Sequence, residues 1–317
     1  MDNTNTKIGV VGTGVIGNGW IARFLAKGYN VVAFDPAEDA KTKTHNLLKR
    51  IWPTLEALGV CKDASMDRLR FVSTIKEAVE NADYVQENVP EREELKKQVL
   101  QEVDKHLKTD GIIGSSTSGI TATTLQQGLK NPERLIVAHP FNPVYILPLV
   151  EVVGGKKTDT AVIQEAKGLF EAIDMKPLVI HQEVEGHVAD RLMEALWREA
   201  LHIVNDGIAT TDEVDRAITY GAGLRWALMG PFMTFHMAGG DAGMRHMLEQ
   251  FGPALKLPWT KLVAPELTEE LKERVIEGCE SSGQGKSIAE LEEKRNEFLV
   301  KQLELVSDYW PLFNKTE

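Results

Sequence analysis

Cysteine is nearly absent: two in 317 residues, Cys61 and Cys279, far apart and without Cys-x-x-Cys or any other metal spacing. A disulfide framework and a structural metal site are therefore unsupported, and a reducing compartment is expected. Positive charge is also short, with 36 Lys+Arg against 47 Asp+Glu and a net charge of −11. That balance speaks against a nucleic-acid groove or an anionic membrane surface. No apolar run approaches the ~18 residues of a membrane helix, and the opening MDNTNTK lacks the basic-then-apolar build of a secretory signal. The expectation is a soluble, cytoplasmic protein. What is present is an ordinary globular composition, 43% hydrophobic and 26% charged, in a chain long enough for two domains at about 150 residues each.

Short β-rich apolar runs recur at residues 7–11, 30–34, 71–73, 84–88, 112–116, 135–138 and 177–180, separated by helical patterns at 17–26, 37–58, 92–106, 121–129 and 160–173. This alternation predicts an α/β Rossmann-type, doubly wound, mainly parallel sheet. A further run at 149–153 reads as a strand outside the alternation, with no pairing assigned. After about Glu185 strand runs vanish, residues 188–204 read as a long amphipathic helix, and Thr211 reads as the cap of the next one. The expected organisation is a dinucleotide-binding domain over 1–185 and an all-α substrate and dimerisation domain over 186–317.

The first run, Lys7–Val11, passes directly into Gly12-Thr13-Gly14-Val15-Ile16-Gly17 and then a helix. In that context Gly12 permits a tight turn, Gly14 a close backbone approach to a pyrophosphate, and Gly17 close packing of helix on strand. The second run ends in Asp35, 18 residues beyond Gly17, where a carboxylate holds the adenosine ribose. Pro36 and Ala37 follow instead of an arginine, so NAD is expected over NADP, with FAD the weaker alternative.

Two polar clusters end apolar runs, Ser115-Ser-Thr-Ser118-Gly119 and His139-Pro-Phe-Asn142-Pro143, and the second is followed by Glu151. A histidine suits the removal of a hydroxyl proton as hydride leaves the same carbon, a carboxylate suits fixing its tautomer, and Ser118 suits holding the substrate oxygen. From the residues alone His139 reads equally as a satisfied loop histidine, and Glu151 reads more readily as a structural or solvated carboxylate. No histidine shows metal-ligand spacing, and His181 and His187, which flank the domain junction, receive no functional role.

Together, GxGxxG near the amino end, Glu87-Asn-Val-Pro90-Glu91, Ser-Thr-Ser118, His139-Pro-Phe-Asn-Pro and Leu-Val-Glu151 resemble the 3-hydroxyacyl-CoA dehydrogenase family. The likeness spans nearly the whole chain. It implies NAD as cofactor and a homodimer, with His139 as base, Glu151 orienting it, Ser118 on the substrate oxygen and Glu87 near the nicotinamide side of the cofactor site. Two departures bear on substrate: Pro148 stands where the family usually has a lysine, and Asp190 where it usually has an asparagine. Segments from Leu192, Gly221 and Met229 are similar to the branch of the family that acts on L-carnitine, a 3-hydroxy acid with a trimethylammonium group. That resemblance implies Asp190, Trp226 and Phe232 as substrate-binding candidates, since aromatic faces hold such cations, although aromatics at these spacings are more often core than cage. Acyl-CoA and gulonate dehydrogenases and a noncatalytic, crystallin-like NAD-binding protein are the rival readings.

Overall fold

In the computed structural model, which describes residues 6–308 except 262, 264, 267 and 285, the chain divides into two units, Met1–Asp190 and Arg191–Glu317. The first is built on one eight-stranded sheet: β1 (Lys7–Val11), β2 (Asn30–Phe34), β3 (Leu69–Phe71), β4 (Tyr84–Glu87), β5 (Ile112–Ser115), β6 (Leu135–Pro140), β7 (Leu149–Gly154) and β8 (Lys176–Ile180). Their order is β3-β2-β1-β4-β5-β6-β7-β8, and every pairing is parallel except β6 with β7. Helices α1 (Val15–Ala26), α2 (Ala40–Leu58), α3 (Ile75–Val79), α4 (Glu93–His106), α5 (Ala122–Leu125) and α6 (Thr160–Ala172) connect the strands.

Alternate strand residues feed two buried clusters. Ile8, Val10 and Tyr84 pack with Trp20, Phe24 and Phe170, whereas Val11, Val85 and Ile113 pack with Leu100 and Val103. Apolar residues on both faces explain why these strands read as unbroken apolar runs rather than alternating ones. Because β1 pairs with β2 on one side and β4 on the other, strand order reverses there, and the loop after β1 opens at the crevice where such sheets bind ligands.

Three local expectations need correction. The third strand is Leu69–Phe71, not 71–73, because Thr74 caps α3 and the Glu77 carboxylate draws the Ser73 amide into that cap at 3.2 Å. The helix expected over 121–129 stops at Leu125, and the chain turns at Gly128 with φ +82°. Thr210, not Thr211, caps the helix that follows residue 210, in a reciprocal box with Glu213. The unassigned run at 149–153 is β7, antiparallel to β6 and parallel to β8.

In the second unit the described residues form helices and no strand. α7 (Ala189–Asn205) starts in the last two residues of the first unit and continues here; α8 (Thr211–Ala217), α9 (Gly223–Trp226), α10 (Pro231–Ala238), α11 (Gly243–Phe251), α12 (Glu269–Gly283) and α13 (Ile288–Ser307) follow. Leu201, Val204, Leu271 and Val300 are buried, while Leu192, Trp197, Phe232, Phe251 and Leu255 are exposed. Among the described residues no helix is long and apolar enough to cross a membrane.

Candidate active site

The glycine loop is shaped by contacts that tolerate no side chain. Gly12 sits at φ +88°, and a Cβ there would lie 2.8 Å from the Asn88 carbonyl oxygen; one on Gly17 would lie 2.0 Å from the Gly12 oxygen. Gly14 differs, since nothing lies within 4 Å of an added Cβ. That open side belongs to a cleft of about 630 Å³ lined by Gly14, Val15, Ile16, Asp35, Asn88 and Ser118, among others. Asn18 braces the loop from behind, donating to the Thr13 carbonyl at 2.7 Å and accepting from the buried Thr44 hydroxyl at 2.8 Å. Asp35 closes the far end: one carboxylate oxygen accepts from the Thr13 amide at 2.7 Å, the other from the Ala37 amide at 3.0 Å. These residues fit NAD. A bare backbone at Gly14 and the free amides opening α1 suit a pyrophosphate, and Asp35 keeps unused lone pairs for ribose hydroxyls.

Glu87 is not part of the cleft lining. Its carboxylate is fully buried, bound by Lys96 Nζ at 2.9 Å, the Val89 amide at 2.6 Å and the Ser115 hydroxyl at 2.5 Å. Glu91 and Lys96 line the cleft instead. The signal for Lys96 was visible: it heads the stripe Lys96, Leu100, Val103 on the buried side of α4, a place where an unpaired ammonium is untenable. Glu91 in turn fixes the loop carrying Ser118. It accepts from the Thr117 hydroxyl at 2.5 Å and the amides of Ser118 and Gly119 at 3.1 and 3.0 Å. Burial alone would raise its pKa, but those donors and the Lys96 charge outweigh it and hold the carboxyl below its usual range.

Ser118, His139 and Glu151 converge at the sheet's carboxyl edge. His139 and Glu151 lie directly opposite each other in the antiparallel β6–β7 register, so both side chains project on the same face. Glu151 Oε2 accepts from His139 Nδ1 at 2.9 Å, and the Ser118 hydroxyl lies 3.0 Å from Nε2. Glu151 Oε1 also accepts from the Val188 and Ala189 amides, each at 2.9 Å. Desolvation works against its charge, yet the His139 and backbone donors win and keep the carboxyl below the usual value. An ionised Glu151 places the imidazole proton on Nδ1 and leaves the Nε2 lone pair free.

Two residues from the domain junction complete this corner. His187, given no role from the sequence, is buried at φ +46°. It donates from Nε2 to the Thr117 carbonyl at 3.1 Å, with its ring centroid 5.0 Å from that of His139. Asp190 Oδ2 stands 3.6 Å from His139 Nε2. Arg23 holds the connection between β6 and β7, donating to the carbonyls of Val144 at 2.8 Å and Leu147 at 3.1 Å; burial lowers its pKa to about 10. In the second unit Trp226 and Phe232 are 41% and 83% exposed, so neither is core there.

This arrangement can accept a proton from a hydroxyl while a bound dinucleotide accepts hydride from the same carbon, the division of labour of NAD-dependent dehydrogenases. The 3-hydroxyacyl-CoA dehydrogenase NAD binding domain model matches residues 7–184, and the 3-hydroxyacyl-CoA dehydrogenase C-terminal domain model matches residues 186–276. The chain belongs to the 3-hydroxyacyl-CoA dehydrogenase family. It is 67% identical to the L-carnitine dehydrogenase of Oceanobacillus iheyensis over 96% of this chain and 99% of that one. It is 53% identical to the L-carnitine dehydrogenase of Pseudomonas putida over 93% and 92%. Among solved structures it is similar to the NAD+-dependent 5-formyl-3-hydroxy-2-methylpyridine 4-carboxylic acid 5-dehydrogenase, with TM-score 0.79 and 29% identity over 95% of this chain and 98% of that one.

Proposed function

We propose that this protein oxidises the 3-hydroxyl of L-carnitine to 3-dehydrocarnitine. NAD, held along Gly12–Gly17 and Asp35, supplies the hydride acceptor. The observation that carries the reading is His139 with Nδ1 on an ionised, buried Glu151 and Nε2 beside the Ser118 hydroxyl. The Nε2 lone pair takes the substrate hydroxyl proton, Glu151 stabilises the resulting imidazolium, and Ser118 holds the reacting oxygen. Full-length similarity to L-carnitine dehydrogenases supports the substrate. Trp226 and Phe232, exposed aromatics of the helical unit, are proposed faces for the trimethylammonium.

The functional form is proposed to be a cytoplasmic homodimer. Exposed Leu192, Trp197, Phe251 and Leu255 on the second unit supply apolar surface of the kind that twin subunits cover. Absorbance at 340 nm with NAD and L-carnitine, D-carnitine, L-3-hydroxybutyryl-CoA or L-gulonate tests the activity. L-carnitine should give the highest kcat/KM. Turnover of the thioester alone would overturn the substrate, and no turnover of any of the four would favour a noncatalytic role.

A further inference from the structure

Asp190 is an oddity of the site. It is the second residue of α7, its side chain is 27% exposed, and its carboxylate approaches His139 Nε2 to 3.6 Å. That distance is too long for a hydrogen bond. The geometry also points a carboxylate at a nitrogen whose proton sits on the opposite side of the ring, so two acceptors face each other. Nor is the placement accidental: Glu151 Oε1 grips the Val188 and Ala189 amides immediately before it. The group that orients His139 on one side thus fixes the backbone that carries Asp190 to the other side.

We infer that Asp190 is the specificity-determining partner of the substrate's cationic end; this rests on the carnitine reading above. In carnitine the quaternary nitrogen is three bonds from the hydroxyl oxygen, so at ~1.5 Å per bond it lies roughly 3 to 4 Å from that oxygen. Delivering the hydroxyl to Nε2 therefore brings the cation into the neighbourhood of Asp190. A trimethylammonium has no N–H to donate, so its partner needs charge and proximity rather than hydrogen-bond geometry. A part-exposed carboxylate supplies both without the desolvation penalty of a buried pair. The same charge disfavours an anionic group at that position.

The test compares kcat/KM for L-carnitine and for its neutral carbon isostere, 3-hydroxy-5,5-dimethylhexanoate, in the wild type, Asp190→Asn and Asp190→Glu, with active sites counted by NAD titration. Wild type should prefer carnitine. Asp190→Asn should lose about 30-fold on carnitine and about threefold or less on the isostere, a charge effect of the size expected at a few ångströms in a partly solvated site. Asp190→Glu should recover most of the preference. Equal losses on both substrates in Asp190→Asn, or no wild-type preference for carnitine, would overturn the assignment and make Asp190 a partner of His139 alone. If wild type fails to oxidise carnitine at all, the substrate reading itself falls and this inference with it.

Discussion

The two halves of the site are made in different ways. The proposed nucleotide half is local: Gly12, Gly14 and Gly17 lie within one strand-loop-helix passage, and Asp35 follows the neighbouring strand. The proposed catalytic half is assembled from Ser118 after β5, His139 on β6, Glu151 on β7 and Asp190 on α7. Changes to the first half should act on cofactor affinity, and changes to the second on turnover. The comparison breaks wherever one substitution moves both.

The largest effect is expected at His139. His139→Ala should lower kcat about 10³-fold, within the range of a lost general base, while the NAD dissociation constant, read by fluorescence titration, changes less than twofold. A parallel loss of NAD binding would show that the halves are not separable.

Glu151→Gln should cost about 100-fold in kcat, since an amide that presents its NH₂ to Nδ1 favours the wrong tautomer. It also bears on acid stability. The folded carboxyl lies below its ordinary 4.5, because the His139, Ala189 and Val188 donors overcome desolvation. A carboxyl lowered on folding contributes stability above its unfolded pKa, and the contribution is lost as pH falls through the folded value. The melting temperature of wild type should therefore fall more steeply than that of Glu151→Gln as the pH is lowered from about 5 to 3. Parallel curves would deny Glu151 this role.

The same division decides what could be read from the sequence. Gly12–Gly17 and Asp35 were legible because a strand, a tight turn and a helix amino terminus leave their marks within one short segment. That His139 meets Glu151 came from the family resemblance and not from the pattern of residues, since it depends on β7 running antiparallel to β6, and a run at 149–153 says nothing about its own direction. Glu87 was placed near the nicotinamide side of the cofactor site by resemblance; in the fold it neutralises Lys96, which lines the cleft. The amphipathic stripe of α4 held that information but only in combination with the buried end of β4. His187 escaped because its role comes from a positive φ and a carbonyl 70 positions away.

Within the nucleotide half, two glycines of one motif should behave oppositely. Gly14→Ala meets nothing within 4 Å, so the melting temperature should hold while NAD affinity falls about tenfold, because the added methyl stands where the pyrophosphate approaches. Gly17→Ala drives a methyl to 2.0 Å from the Gly12 oxygen and should lower the melting temperature by several degrees, as overpacking against rigid backbone does. Calorimetry with and without NAD separates the two; a Gly14→Ala protein that melts early would mean that the loop, not the ligand, occupies that space.

The smallest effect is expected at Asp35. Its carboxylate, the proposed partner of the ribose, also serves the protein, accepting from the Thr13 amide at 2.7 Å, the Thr13 hydroxyl at 3.1 Å and the Ala37 amide at 3.0 Å. Asp35→Asn keeps one acceptor oxygen but loses the other to an NH₂, so one of these ties must break and the ribose loses its charged partner. The expected rise in KM for NAD is only about threefold to tenfold, because a single partly solvated hydrogen bond is worth about 0.7 to 1.4 kcal/mol net. NADP should remain a poor substitute, since Pro36 and Ala37 offer a 2′-phosphate no cation once the repulsion is gone. Measured kcat/KM for both dinucleotides distinguishes the terms: if Asp35→Asn accepts NADP as readily as NAD, repulsion by Asp35 was the sole basis of the preference, and the missing arginine counts for nothing.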